Sequence, residues 1–320
     1  MKAVVIDGYG GPDRLQIREV KCPELEPGMI RVRVRAAGVN PVDWKIRSGM
    51  LKGILRPTFP LILGGDLAGE VDAVGEGVTR FQVGDPVFGM ADLRKGQTGA
   101  YAEYAVIAES AAARKPDVWS FEQAASVPIA GLTALQSLRD LGRVPSGGSV
   151  LINGASGGVG TFAVQIGKAL GARVVATCSA SNAELVRSLG ADTVIDYTVH
   201  DVTQRDETFD VFFDAVARSN FRRARHLLKP DGTYVSTLPS PRLIGWMGLL
   251  PILRPFGVRR RAAIILVKPR GDDLATLAQL AEQGELRPVI EHVYPLEDAR
   301  QAHEQSQTGR TRGKIVLHIA

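Results

Sequence analysis

The residues best suited to chemistry lie in one short run, NGASGGVG, from Asn153 to Gly160. Glycines at this density let a backbone approach a pyrophosphate closely, and a helix opening directly after them offers unpaired N–H groups and the positive end of its dipole. The flanks supply that context, with the apolar run SVLI before the loop and VGTFAVQIGKALG after it at helical spacing. The run departs from G-x-G-x-x-G, because Ala155 stands at the first glycine. Alanine suits that place if the turn there does not demand positive φ. Ala155, Ser156, Gly157, Gly158, Val159 and Gly160 are therefore the expected dinucleotide cradle, and a purely structural turn is the alternative.

Cofactor choice depends on the end of the next strand, about 20 residues on, where an NAD enzyme carries an acid for the ribose 2′-hydroxyl. Here RVVAT runs into CSASNAE, with no acid before Glu184. Ser179, Ser181 and Asn182 are small donors able to hold a 2′-phosphate without repelling it, which favours NADPH over NADH. Tyr197, closing the following strand in VIDYT, is a candidate contact beside the adenosine ribose or an ordinary strand-end tyrosine.

These residues need a scaffold, and the chain supplies strands and helices in two styles. The first third, with MKAVVIDGYG, MIRVRVRAAGV, DLAGEVDAVG, DPVFGM and YAEYAVI, reads as an all-β unit of short strands punctuated by turn residues. Ile30, Val32 and Val34 alternate with arginines, so a half-buried strand with a solvated basic face is expected there. From about Ser120 the period becomes helical up to Gly142, after which strands and helices alternate through GTYVSTL. Such alternation implies right-handed crossovers and a doubly wound parallel sheet. The tail returns to GDDLATLAQLAEQGEL and EDARQAHEQSQTG as helices, with VIEHVYPL and GKIVLHI as strands.

The bulk properties exclude several classes. A length of 320 residues suits two domains of roughly 100 to 200 residues each. Apolar residues at 45% and charged ones at 23% are ordinary for a soluble globular protein. Cys22 and Cys178 are the only cysteines, so neither a disulfide framework nor a C-x-x-C metal site can be drawn. The net charge of +5 is spread widely, Arg259 to Arg261 being the only tight cluster, and no nucleic-acid reading motif accompanies it. The first residues show no secretory leader, which makes a cytoplasmic location the expectation. The longest apolar stretch, LIGWMGLLPIL, stops at Arg254, short of the roughly 20 residues that span a bilayer. No integral membrane segment is expected, although RPFGVRRRA after it leaves surface attachment open.

The segments AGVNPVDWKIRSG, GGDLAGEVDAVG, VGDPVFG, GAYAEYAVI, AGLTAL and NGASGGVG, in this order, resemble the medium-chain dehydrogenase/reductase superfamily over essentially the whole chain. Within it the chain is similar to the zinc-independent quinone oxidoreductase branch, which includes zeta-crystallin-like proteins and alkenal/enone reductases. The resemblance implies an α/β protein. Its parts would be a GroES-like β-rich catalytic domain over 1–122, a doubly wound parallel-sheet Rossmann domain over 123–264, and a segment over 265–320 that returns to the first. It also implies a homodimer.

Zinc-dependent relatives place a ligand cysteine after the early strand and a ligand histidine in G-H-E. Val39 and Asn40 stand near the first position here and Gly65 at the second, so Asp66 is left without the partners zinc wants, and no metal is expected. Hydride delivery would then suit a conjugated acceptor, a quinone or an α,β-unsaturated carbonyl, whose developing charge hydrogen-bond donors can stabilise. The resemblance puts Asn40 against nicotinamide and substrate. Lys45 stands where it could bind the nicotinamide ribose or polarise the carbonyl, or else be an exposed lysine; Asp43 is expected to be structural, with orienting Lys45 as its secondary role. Thr133 matches a threonine at the nicotinamide side or bonds its own helix backbone. Leu238 falls where the backbone meets the carboxamide, and Gly313 and Lys314 belong to a closing strand that approaches the cofactor or is merely terminal. No histidine stands in a matched motif, so the proton is expected from solvent. The loops GMLKGILRPTFPL and PSPRLIGWMGLLPILRPFGV are expected to wall the substrate pocket. An enoyl-thioester reductase and a non-catalytic nucleotide-binding partner protein are the competing readings.

Overall fold

Strand propensity and alternation are clearest in MIRVRVRAAGV, and in the computed structural model this run is the central strand of a seven-stranded sheet. The structure describes residues 1–55, 57–92 and 99–320; Arg56, inside the first of the two expected pocket loops, lies outside them. The chain divides into two compact units. Unit 1 comprises 1–129, 269–284 and 288–320, and unit 2 comprises 130–268 and 285–287.

The strands of unit 1 begin with β1 (Lys2–Ile6), β2 (Gln16–Glu19), β3 (Met29–Val39), β4 (Leu61–Ile62), β5 (Asp66–Val74), β6 (Pro86–Met90), β7 (Tyr104–Ala108) and β8 (Ala112–Arg114). Ile30, Val32 and Val34 point into its core. The arginines of the other face are not simply solvated: Arg31 pairs with Asp72 at 2.6 Å and Arg35 with Glu70 at 2.8 Å, both on neighbouring β5. The expectation of an all-β first third is corrected by a short helix, α1 (Pro41–Arg47). Its start is set by proline at the first helical position and by Asp43, whose Oδ2 accepts the Asn40 N–H at 2.7 Å. Helices α2 (Phe121–Ala125) and α3 (Pro128–Leu135) follow, and a π-helical turn over Gln136–Gly142 extends α3.

Unit 2 holds β9 (Ser149–Asn153), α4 (Gly158–Ala169), β10 (Arg173–Cys178), α5 (Ala183–Ser188), β11 (Thr193–Asp196), β12 (Phe209–Asp214), α6 (Phe221–Ala224), β13 (Leu228–Ser236), α7 (Pro241–Leu253) and β14 (Arg261–Ile264). Its six strands are all parallel in the order β11-β10-β9-β12-β13-β14, the doubly wound arrangement in which the order reverses beside β9. Near-continuous apolar runs such as Val150, Leu151 and Ile152 suit strands covered on both faces. FRRARHLL, expected as a helix, gives one α turn and then a 3-10 turn, Arg225–Leu227. The second expected pocket loop is mostly the helix α7, which Ser240 caps through the Leu243 N–H at 3.2 Å.

The remaining elements are α8 (Gly271–Glu282), β15 (Ile290–Pro295), α9 (Ala299–Gln307) and β16 (Lys314–His318). In unit 1, β16 pairs antiparallel with β3, completing the order β15-β16-β3-β5-β6-β8, with β7 also on β3.

Candidate active site

The glycine loop joins β9 to α4 as its sequence implies. The turn demands positive φ at Gly154 (+84°) rather than at Ala155, and that is why alanine is tolerated there. Ala155 is buried, and its N–H donates to the carbonyl of Thr177 on β10 at 2.9 Å. Gly160 is required by packing, because a Cβ there would sit 2.1 Å from the Gly154 carbonyl oxygen. Gly157, the N-cap of α4, differs: a Cβ would meet only the Gly154 oxygen at 3.6 Å, which leaves its outer side open for a ligand. Ser156, Gly158 and Val159 lie half-exposed at the same helix start.

A partly buried polar chain that sequence reasoning passed over fixes this loop from beneath. Thr177 Oγ1 donates to Asn153 Oδ1 at 2.7 Å, Asn153 Nδ2 donates to Asp214 Oδ1 at 2.9 Å, and Tyr234 OH donates to Asp214 Oδ2 at 2.9 Å. The chain ties together the carboxyl ends of β9, β10, β12 and β13. Burial and the Asp214 charge push the Tyr234 phenol far above its ordinary range, so it remains a neutral donor.

At the end of β10, three of the expected 2′-end residues come together. Ser179 and Ser181 hydroxyls are 3.0 Å apart, and Asn182 Nδ2 donates to Ser179 Oγ at 3.2 Å and to Ser156 Oγ at 3.3 Å. The last contact links the serine turn to the glycine loop. Asp196 was not foreseen near this turn. Its carboxylate is held low first by the Thr198 N–H and hydroxyl, and the Ala180 N–H also bonds it. Tyr197 beside it is exposed, with its N–H on the Cys178 carbonyl at 3.2 Å. Thr133 is buried in α3, and Leu238 is exposed just beyond β13.

In unit 1, Asn40 and Lys314 meet. Lys314 Nζ lies 2.5 Å from Asn40 Oδ1 and 3.4 Å from Asp66 Oδ2, and Asn40 Nδ2 donates to the same Asp66 oxygen at 2.8 Å. The other Asp66 oxygen accepts the Ile129 N–H at 2.8 Å. All three side chains are buried. Burial pushes the Asp66 carboxyl up against the opposing pull of the Lys314 charge. The amide of Asn40 is thereby oriented without ambiguity, because its oxygen must face the ammonium and its nitrogen the carboxylate. Gly313 turns the chain into β16 at φ +75°, where a Cβ would stand 2.3 Å from the Val289 carbonyl oxygen.

Asp43 does not orient Lys45 through the bonds its carboxylate makes. Besides the Asn40 N–H, its Oδ2 accepts Tyr101 OH at 3.0 Å, and His303 Nε2 lies 3.3 Å from that hydroxyl. Burial raises Asp43 to about 7 and lowers His303 to about 3. Ala299, Ala302 and His303 share one buried face of α9, a spacing that could have marked His303 as internal. Lys45 lies half-buried with its ammonium 5.5 Å from the Trp44 ring, and desolvation lowers its proton affinity.

A β-rich unit with a buried asparagine and a doubly wound unit carrying a glycine loop are the architecture of a two-unit nucleotide-binding protein. Comparison with known proteins agrees. Residues 26–117 match the alcohol dehydrogenase GroES-like domain, and residues 189–317 match the zinc-binding dehydrogenase family. The chain is 33% identical to the chloroplast envelope quinone oxidoreductase homolog of Arabidopsis thaliana, over 99% of this chain and 98% of that one. It superposes on the quinone oxidoreductase from Coxiella burnetii with TM-score 0.87 at 33% identity, covering 100% and 99% of the two chains. The Escherichia coli quinone oxidoreductase complexed with NADPH gives TM-score 0.83 at 29% identity, covering 99% and 100%. The chain therefore belongs to the quinone oxidoreductases of the medium-chain dehydrogenase/reductase superfamily.

Proposed function

We propose that the chain is a zinc-independent, NADPH-dependent reductase of quinones or α,β-unsaturated carbonyls. The observation that carries this reading is the Lys314 ammonium between Asn40 Oδ1 and Asp66 Oδ2. A catalytic zinc wants about three protein ligands. At the matching places this chain has Asn40, Gly65 and Asp66, and two of their oxygens already face a buried cation that would repel a metal ion. Among the described residues no cluster of three His, Cys, Asp or Glu side chains could take over.

Without a Lewis acid, an acceptor that spreads its own developing charge is favoured, because a neutral donor then suffices. Asn40 is that donor in this reading. One of its two amide hydrogens goes to Asp66, and the second is aimed by the same clamp. Bound NADPH supplies the hydride. Gly157, Gly158, Val159 and the other loop residues from Ala155 to Gly160 hold its pyrophosphate, and Ser179, Ser181 and Asn182 receive the 2′-phosphate. Lys45, softened by desolvation, serves the ribose or the substrate carbonyl. Thr133, Tyr197, Leu238, Gly313 and Lys314 complete the proposed cofactor surroundings, Lys314 through Asn40. The proposed domains are 1–122, 123–264 and 265–320. A homodimer and a cytoplasmic location belong to the same reading.

NADPH consumption by the purified protein, followed with a panel of quinones, enones and a crotonyl thioester with and without chelator, tests it. Chelator-insensitive oxidation by quinones or enones is expected. Tight NADPH binding without turnover would return the chain to a nucleotide-binding partner, and faster thioester turnover would make it an enoyl-thioester reductase.

A further inference from the structure

The three consecutive arginines from Arg259 to Arg261 have no part in hydride transfer. Arg259 pairs with Asp231 at 3.3 Å, and Arg260 Nε donates to the Leu228 carbonyl at 3.0 Å. Arg261 opens β14 and, with Arg143 and Lys229, lines a cavity of about 380 Å³ in unit 2. The cavity lies at the amino ends of β12, β13 and β14 and just before β9, the opposite edge of the sheet from the glycine loop.

Its charges do not balance. Asp210 is engaged by Lys229 at 2.7 Å and by the Ser149 N–H at 2.8 Å, and Asp231 is engaged by Arg259. Among the described residues, neither Arg143 nor Arg261 has a carboxylate within ion-pairing distance. Arg261 is held below the usual arginine range first by burial and then by the Arg143 charge, the Asp231 carboxylate opposing them and Arg254 adding to them. Arg143 also sits at φ 52°, a left-handed conformation uncommon for a residue with a Cβ. Like charges gathered in a cavity cost stability unless something binds between them, and strained backbone collects at sites of function.

We propose that Arg143 and Arg261 form a second anion site, which takes a phosphate monoester dianion. Two guanidinium forks match phosphate oxygens bidentately, and a monoester carries close to two negative charges at neutral pH. The cavity leaves room for the organic part of the ester. That phosphate could belong to a soluble phosphorylated metabolite or to the headgroup of a phosphatidic acid. The second source has its own support: Ile252 and Phe256, 65% and 80% exposed, flank Arg254 and would meet a lipid surface.

Calorimetric titration of the full chain with glycerol 3-phosphate, with and without saturating NADPH, tests the site, alongside sedimentation with vesicles of phosphatidic acid or phosphatidylserine matched in charge. Saturable binding that survives NADPH, and that weakens about tenfold or more in R143A/R261A, is expected for the soluble source. Pelleting with phosphatidic acid but not phosphatidylserine, lost in the same variant, is expected for the lipid source. The empty R261A protein should melt no lower than the parent, since a repulsion has been removed. Absence of binding to any phosphate carrier, an insensitive double variant, or equal pelleting with both lipids would overturn the proposal. None of these readouts depends on turnover, so they stand apart from the reductase reading.

Discussion

Lys314 Nζ reaches Asn40 Oδ1 at 2.5 Å across 274 positions of sequence. The contact does two jobs, since it supplies positive charge beside buried Asp66 and dictates which way the Asn40 amide points. Breaking a buried pair by removing one partner leaves an uncompensated charge and costs about 3–5 kcal/mol. Lys314→Met should lose stability of that order in denaturant titration, and adding Asp66→Asn should recover part of it. A loss below about 1 kcal/mol would mean that Asp66 is neutral without its lysine.

Asp43 and His303 should hide each other's pH dependence. Between pH about 4 and 7 the folded chain keeps the Asp43 proton that the unfolded chain has released, so this residue makes stability fall as pH rises. Oδ1 of Asp43, which has no hydrogen-bond partner among the described residues, is the natural seat for that proton. His303 does the reverse: between pH 6.5 and about 3 only the unfolded chain takes up its proton, so stability falls with acidification. Asp43→Asn should expose the acid-side loss and His303→Gln the neutral-side loss, each on the order of a few kcal/mol. Parallel profiles for both variants and the parent, from melts between pH 4 and 7, would refute this.

Two glycines of the cradle should separate packing from ligand contact. Gly160→Ala drives a Cβ against the Gly154 oxygen and should lower melting temperature and NADPH affinity together. Gly157→Ala meets nothing that close in the protein and should leave the melt unchanged while weakening NADPH at least about tenfold, or about 1.4 kcal/mol. Unchanged affinity in Gly157→Ala would move the pyrophosphate elsewhere.

Cofactor preference can be tested at one carboxylate. If the serine turn receives a 2′-phosphate, Asp196→Asn should tighten NADPH and leave NADH nearly unaffected, because only NADPH brings an extra anion close to it. Tighter binding of NADH than NADPH to the parent protein would overturn the preference outright.

Lys45→Ala should raise KM for NADPH or lower kcat without changing the melt appreciably, since the side chain is half-buried and stacked near Trp44 rather than ion-paired. Parent-like kinetics would return Lys45 to an ordinary surface lysine.

Local geometry was readable in the chain and distant geometry was not. The glycine loop, the alternation around it and the donors at Ser179, Ser181 and Asn182 are encoded within short windows, and the folded unit assembles them. Helix α1 was also legible in hindsight, since Asn-Pro-Val-Asp carries both the proline and the acid of a helix start. By contrast, Asp66 and Lys314 are 248 positions apart, and no local pattern joins them. Strand β14 escaped because four residues opening with an arginine read as a charge cluster, and only pairing with β13 makes them a strand.

The interleaving of the two units sets an order on their birth at the ribosome. Unit 2 lacks only residues 285–287 once position 268 has emerged, whereas unit 1 waits for β16 to dock on β3. Until then the nascent β5 carries Asp66 with no lysine to neutralise it. The nucleotide-binding half can therefore be folded while the half that holds Asn40 is still incomplete, and the charge that offsets Asp66 arrives only with β16.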